Sequence, residues 1–187
     1  MTPSAMLKIA ITPPDFLPDE ADRIAVLLRG DAFWRVHVRK PGATADAMRR
    51  LLVSLPSWCL PRIVLHDHHE LCGEFAVGGI HLNRRQPTVS DDLRHRSLTV
   101  SCSCHSIEEV ASRKASVDYL FLSPIFDSIS KAGYKSNFTI DGLRAAADAG
   151  IIDSRVFALG GVTPDRLPLL QSIGFGGAAM LGAVWGG

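Results

Sequence analysis

Eight short apolar runs, separated by segments of helical spacing, are the feature that most constrains the fold of this chain. Each run is too short for a helix and is apolar along nearly its whole length, as strands buried on both faces of a parallel sheet are. The runs are residues 7–12, 34–39, 62–66, 79–82, 98–101, 119–122, 156–159 and 178–181. Eight such strands with crossovers predict either a closed barrel or an open, doubly wound sheet.

The segments between the runs carry helix start and stop signals. Thr44 is a predicted N-cap for a helix over 44–55, and Ser106 with Glu109 forms a capping-box pattern. Gly150 is placed to end a helix that starts near 139, and Thr163-Pro164 opens one more. The linkers 68–76 and 88–95 leave room only for a short helix or an irregular turn.

The first βα connection distinguishes between the two sheet types. It reads Thr12-Pro13-Pro14-Asp15, which contains none of the glycines of a dinucleotide-binding open sheet. We therefore predict a compact (β/α)8 TIM barrel, organised as a single domain over residues 1–187. Only residues 182–187 follow the eighth run, so its closing helix is expected to be short or missing.

Composition excludes several classes of partner. A net charge of +1 on 187 residues gives no general basic field for nucleic acid or a membrane surface. No apolar run approaches the ~20 residues of a membrane span, and the N-terminus lacks the layout of a signal peptide. We expect a cytoplasmic protein with free cysteines. The Cys102-x-Cys104 pair followed by His105 leaves open a zinc site, although its spacing is shorter than usual.

The predicted strand ends carry cations, hydroxyl groups and glycines. Active sites of such barrels lie at the C-terminal ends of the strands, where Arg and Lys donate to phosphate and glycines let the backbone approach it. The candidate residues are His37, Arg39, Lys40, His66, Asp67, Ser103, Ser128, Ser130, Lys131, Gly160, Gly161 and Gly182. Asp67 is the clearest carboxylate, which suits a Mg²⁺ ion bridging a diphosphate.

Several of these positions have a second interpretation. Arg84 and Arg85 fit a solvated rim, Gly160-Gly161 fits a tight strand-to-helix turn, and His81 fits a buried core histidine. The cluster His66-Asp67-His68-His69 also has ligand types that a transition metal accepts.

Four motifs in order resemble the thiamine phosphate synthase family and its thiazole tautomerase relatives. Residues 79–82 (GIHL) are similar to G-V-H-L, and 103–106 (SCHS) to S-x-H-S. Residues 118–126 (DYLFLSPIF), with Lys131 following, are similar to a D-Y-hydrophobic-G-P-x-F segment. Residues 158–162 (ALGGV) are similar to A-I-G-G-I. The resemblance runs from Leu7 to about Trp185 and supports the barrel fold.

The resemblance implies the coupling of hydroxymethylpyrimidine diphosphate to thiazole phosphate with release of diphosphate. It places Arg39 with Lys40, Ser103 and Lys131 on the diphosphate and Asp67 on Mg²⁺. It further implies that His37, His66, Ser128 and Ser130 bind substrate, and that the thiazole phosphate lies on Gly160, Gly161 and the backbone near Gly182. The implied partners are small phosphorylated molecules, with a homodimer as the expected assembly.

Departures from the family pattern keep alternatives open. Lys40 is displaced by one position, and His66-Asp67-His68 stands where the family has N-D-R. Gln86 replaces the second metal carboxylate, with Arg84 or Arg85 able to supply positive charge nearby. The alternatives are a tautomerase-like isomerase, a non-catalytic relative that binds thiazole phosphate, and a metal-binding module. The first is weakened because Pro124 stands where the tautomerases have a histidine.

Overall fold

The eight predicted strands form a closed barrel in the computed structural model, which describes residues 6–30, 32–127 and 138–186. The strands are paired in chain order, and every pair whose register is resolved is parallel. They are β1 (Leu7–Ile11), β2 (Arg35–Val38), β3 (Ile63–Leu65), β4 (Gly79–Leu82), β5 (Thr99–Cys104), β6 (Tyr119–Leu122), β7 (Val156–Leu159) and β8 (Gly177–Met180). The predicted (β/α)8 barrel is therefore confirmed.

The connections contain six α-helices and several short 3₁₀ helices within the described residues. The α-helices are α1 (Glu20–Leu28), α2 (Ala45–Ser54), α3 (Ile107–Arg113), α4 (Ile140–Asp148), α5 (Leu167–Ile173) and α6 (Gly182–Trp185). The short linkers hold 3₁₀ helices at His69–Gly73 and Asp91–Leu93, as their lengths predict. The closing helix α6 has only 4 residues, which agrees with the short helix expected there. No described helix combines the length and apolar character that a membrane crossing requires.

Three N-caps are formed by side-chain hydrogen bonds, and the sequence predicts two of them, Thr44 and Ser106. The predicted cap at Thr163 precedes a 3₁₀ helix, Pro164–Arg166, and makes no side-chain capping hydrogen bond. Thr44 accepts from Ala47 N at 3.2 Å, and Thr139 accepts from Gly142 N at 3.1 Å. Ser106 accepts from Glu109 N at 3.2 Å, while the Glu109 carboxylate accepts from the backbone N–H of His105. These bonds satisfy N–H groups that have no partner inside the helix, and they fix where each helix begins.

Contacts divide the chain into two compact units. One is Ala10–Ser101, and the other comprises Met1–Ile9 and Cys102–Gly187. They are called here the 10–101 unit and the 102–187 unit. The organisation of the whole chain as one domain stays a prediction.

The 10–101 unit is built on β2, β3 and β4. In the parallel register Val36 pairs with Ile63, and Leu65 pairs with Ile80. These four side chains have no exposed surface, as expected for strands that are buried on both faces. The register brings the carboxyl ends of β2, β3 and β4 to one edge, so the residues that follow them are neighbours.

The 102–187 unit is built on β6, β7 and β8. Leu122 pairs with Ala158, and Leu159 pairs with Ala179. The rings of Tyr119 and Phe157 lie 5.3 Å apart between centroids, and the Phe157 ring fills the space that a side chain on Gly177 of β8 would need. The parallel register again brings the ends of the three strands to one edge.

Strand β5 is longer than predicted. The apolar run covers 98–101, whereas the strand extends to Cys104, because Cys102 and Cys104 are buried like apolar side chains. All four cysteines are free thiols, as expected. In the sequence, residues 102–104 resemble a polar loop. In the structure they continue the strand, with Ser103 half-buried between two buried cysteines.

Candidate active site

Three buried histidines lie together at the ends of β2, β3 and β4. His37 lies in β2, His66 directly follows β3, and His81 lies in β4. His37 Nδ1 and His66 Nε2 are 2.9 Å apart, and the His66 and His81 rings stack with centroids 4.1 Å apart. The predicted substrate-binding residues His37 and His66 are therefore brought together, with His81 as a third member.

Burial keeps these imidazoles neutral. Loss of solvation lowers the pKa of His37 and of His66 well below the usual value, and neighbouring imidazoles lower both further. Burial also lowers the pKa of His81 to about 3. A proton on any of them would be a charge in a site with little water, so the neutral form is favoured at neutral pH.

Arg39 stands beside this histidine cluster. Its backbone N–H donates to the Thr12 hydroxyl at 2.9 Å, which ties the end of β2 to the end of β1. Its positive charge contributes to the low pKa of His66 and His81, so the guanidinium lies within electrostatic range of both rings. The anion-binding role of Arg39 stays a prediction.

Lys40 has an intramolecular role instead of the predicted substrate contact. Its ammonium group donates to the Glu20 carboxylate at 2.6 Å and to the carbonyl oxygens of Pro13 at 2.9 Å and Asp15 at 2.7 Å. Three acceptors use its three N–H groups, and the side chain has 0% exposed surface. Adjacent residues after a strand point in different directions, so Lys40 is turned toward α1.

Asp67 is held by an arginine. Arg85 donates from Nε to one Asp67 oxygen at 2.7 Å and from Nη2 to the other at 2.9 Å, a two-bond pairing. The Asn83 side-chain oxygen Oδ1 accepts from the backbone N–H groups of Arg85 and Gln86, at 2.8 Å and 3.2 Å, and so shapes the loop that carries Arg85.

The residues around Asp67 do not fit a Mg²⁺ ion in this arrangement. Mg²⁺ prefers one or two free carboxylates together with substrate oxygens. Both Asp67 oxygens already accept from Arg85, and Gln86 stands where the family pattern has the second carboxylate. A cation there would also meet the Arg85 guanidinium, which already neutralises the carboxylate.

The 102–187 unit contributes a second group of polar residues. Ser103 lies half-buried near the end of β5, at the position predicted for it. The exposed His105 follows the strand, and its Nδ1–H donates to the Ser123 carbonyl oxygen at 3.0 Å, which orients the ring. Pro124 follows Ser123 directly, as in the synthase-like motif.

Gly160 and Gly161 make a turn that only glycine fits. Their φ angles are +94° and +61°, in the region that side chains disfavour. A Cβ on Gly160 would lie 2.8 Å from Pro124, and one on Gly161 would lie 2.5 Å from the Asp127 carbonyl oxygen. The tight-turn interpretation is therefore confirmed, and the phosphate role of these glycines stays a prediction.

The remaining predicted residues have less structural context. Gly182 is exposed at the first position of α6, where a Cβ would meet no atom within 4 Å. Ser128, Ser130 and Lys131 lie outside the described residues.

The sequence did not predict the ion-pair partners of Lys40 and Asp67, which are Glu20 and Arg85. Glu20 lies 20 residues before Lys40, and nothing in local spacing connects the two. The sequence leaves Arg85 either on a solvated rim or as a replacement charge. The structure pairs it with Asp67 while about half of its side chain stays exposed. The missing carboxylate at Gln86 was the available signal.

The sequence profile described as thiamine monophosphate synthase matches residues 9–184, nearly the whole chain. The chain belongs to the thiamine monophosphate synthase family. This confirms the resemblance that the four motifs indicated.

Members of this family are similar to the chain in sequence and in structure. A thiamine-phosphate synthase of Bacteroides thetaiotaomicron is 22% identical over 184 residues, covering 90% of this chain and 88% of the relative. A crystal structure of thiamine phosphate pyrophosphorylase from the same species has a TM-score of 0.85 and 42% identity, covering 97% of this chain and 85% of that chain. The Pyrococcus furiosus structure of that name, at 20% identity and a TM-score of 0.77, supports the fold alone and covers 98% of this chain and 89% of that chain.

Replacing Lys40 tests whether this residue stabilises the fold through its buried ion pair with Glu20. Lys40→Ala leaves the Glu20 carboxylate buried without its partner, so we expect a loss of about 3–5 kcal/mol in the free energy of unfolding. The control Arg49→Ala removes more exposed ion pairs, with Asp46 and Glu74, and is expected to cost clearly less than Lys40→Ala because solvent screens such pairs. Urea denaturation measures both. Equal stability of the two variants would contradict the structural role.

Replacing the turn glycines tests the close approach at the end of β7. Gly161→Ala meets the Asp127 carbonyl oxygen as well as an unfavourable φ, so we expect a loss of at least about 2 kcal/mol. The control Gly150→Ala has a φ of +72° but no atom within 4 Å, so it keeps only the conformational cost, about 1 kcal/mol. Thermal unfolding of both variants measures the difference, and a smaller loss for Gly161→Ala would count against the packing described.

Acid is expected to destabilise the protein through the buried histidines. Their folded-state pKa lies below the unfolded value, so their contribution is complete above about pH 6.5 and is lost as pH falls toward the folded pKa. Each imidazole that is protonated only after unfolding lowers the free energy of unfolding by about 1.4 kcal/mol for every unit by which the pH falls within this range. Urea denaturation between pH 6.5 and 5 measures the slope.

Removing one buried imidazole tests the origin of this slope. His37→Gln should reduce the slope by one proton's share. A stability that does not vary between pH 6.5 and 5 would show that the cluster does not stay neutral.

Proposed function

We propose that this chain is a transferase that couples hydroxymethylpyrimidine diphosphate to thiazole phosphate and releases diphosphate. Support comes from the family match over residues 9–184 and from relatives named thiamine-phosphate synthase. The observation that carries the proposal at the site is the grouping of Arg39 and the Arg85–Asp67 pair after β2, β3 and β4.

The leaving group of the reaction is diphosphate, and the chain's own cations would bind it. The pyrimidine C–O bond breaks, the electron pair goes to the diphosphate, and the thiazole nitrogen donates its pair to the carbon. Catalysis of such a step rests on positioning the two halves and stabilising the charge of the departing group. Arg39 and Arg85 supply fixed positive charge for this purpose.

In this proposal Asp67 positions Arg85. Its carboxylate accepts from both Nε and Nη2, which fixes the guanidinium plane at the end of β3. About half of the Arg85 side chain is exposed, so part of the guanidinium remains accessible to a ligand. Direct ligation of Mg²⁺ by Asp67 would require this pair to open.

The other assignments follow the same proposal. Ser103 and Lys131 are proposed to contact the diphosphate, and Ser128 and Ser130 to bind substrate. The turn at Gly160-Gly161 with the backbone near Gly182 would take the thiazole phosphate. The cytoplasm is the proposed location and a homodimer the proposed assembly, with no nucleic-acid partner.

A coupling assay tests the activity. Both phosphorylated halves are incubated with the chain, with Mg²⁺ or with EDTA, and thiamine phosphate and diphosphate are measured. We expect product, and we expect Arg85→Gln to lower kcat/KM about 10²-fold because a fixed charge at the leaving group is lost. The matched control is Arg84→Gln, the exposed neighbour, which should retain activity.

Two outcomes would count against the proposal. Folded protein that makes no product under either condition would overturn the transferase activity. Binding of thiazole phosphate in EDTA with no response to the pyrimidine diphosphate would support the alternative of a non-catalytic relative.

A further inference from the structure

The histidine cluster also has the geometry of a metal site, a role that the proposed transferase function does not assign to it. One ring nitrogen from each of His37, His66 and His81 lies within 4.8 Å of the others. Leu65 pairs with Ile80, so His66 and His81 follow as neighbours on adjacent strands, with rings inclined by 15°. The His37 ring is inclined by 75° to His66 and completes a three-sided arrangement.

The shortest distance in the cluster fits two ligands of one ion. His37 Nδ1 and His66 Nε2 are 2.9 Å apart. Two nitrogens bound at about 2.0–2.1 Å to one zinc ion are about 2.9 Å apart at a right angle and about 3.4 Å apart at the tetrahedral angle. A hydrogen bond explains one pair equally well, but it does not explain why a third imidazole nitrogen converges on both.

A neighbouring hydroxyl group sets the tautomer of the neutral His81 ring. Ser101 Oγ lies 2.9 Å from His81 Nδ1 and 3.3 Å from the Ile80 carbonyl oxygen. The carbonyl oxygen can only accept, so the hydroxyl donates to it and accepts from His81 Nδ1–H. In the neutral ring Nε2 then carries the lone pair. An outer hydrogen bond that fixes the tautomer in this way is typical of histidines that bind metals.

The charges around the cluster decide what else the site would hold. The positive charges of Arg35 and Arg39 act on the cluster, and His69 lies close to His66 and His81. Asp67, next to His66, is already paired with Arg85. An ion with three neutral ligands beside two arginines therefore needs an anionic fourth ligand, such as hydroxide or a phosphate oxygen.

We propose that His37, His66 and His81 form a site for a divalent transition metal of the zinc type, with the fourth position open to an anion. Imidazole nitrogens select such ions over Mg²⁺, which prefers oxygen ligands. This site is separate from the Asp67 position at which the family pattern places Mg²⁺. It stands whether or not the chain has transferase activity.

Metal binding by the whole chain tests the proposal. Protein treated with EDTA and then dialysed free of the chelator is titrated with Zn²⁺ by calorimetry, and its zinc content is measured after gel filtration. We expect one zinc ion per chain. His37→Gln and His81→Gln should each weaken binding at least about 100-fold, and Ser101→Ala about 10- to 100-fold, since it removes an outer hydrogen bond. The exposed His95→Gln is the control and should bind as the wild type does.

A spectroscopic measurement keeps the test valid if a histidine variant fails to fold. Co²⁺ added to the metal-free wild type should give the visible absorption of a four- or five-coordinate nitrogen site, and Zn²⁺ should displace it. Wild-type protein without this absorption, or with no zinc retained after gel filtration, would overturn the proposal. So would equal loss of binding in His95→Gln and His81→Gln.

Discussion

Parallel pairing of very short strands is the constraint on which the rest of this structure depends. Strand β3 has 3 residues and β2 and β4 have 4 each, so a side chain is at most two residues from a strand end. The register brings these ends to one edge. Histidine, arginine and aspartate residues that are 14 to 48 positions apart in the chain thereby become neighbours in the 10–101 unit.

The same constraint separates two adjacent cations. Arg39 and Lys40 follow β2 directly, and in the sequence they form one basic pair. In the structure Arg39 acts on the histidine cluster, whereas Lys40 turns into a buried ion pair with Glu20. Successive side chains at a strand end point in different directions, so two like charges one residue apart take on unlike roles. A ligand-binding residue and a structural residue cannot be told apart here by residue type.

The fold was predictable from the sequence, and most of the site was not. The bounds of β4, β6 and β7 match their apolar runs, because strands buried on both faces leave a direct compositional signal. The sequence also shows that the second metal carboxylate is replaced by Gln86. It does not show that Arg85 reaches back 18 residues to Asp67, because that contact depends on how β3 and β4 are paired. Side-chain partners across strands require the register, and the register is a tertiary property.

Charge balance connects the two metals considered for this chain. At Asp67 an arginine occupies the carboxylate, so under the proposed function the protein itself supplies positive charge close to the diphosphate. At the histidine cluster the ligands are neutral and their pKa is low, so a proton does not compete with a metal near neutral pH. Within the 10–101 unit the Asp67 carboxylate is neutralised by Arg85, and three imidazole nitrogens lie close together. This combination of ligands favours a borderline transition metal over Mg²⁺. The arginines then remain available to bind an anion.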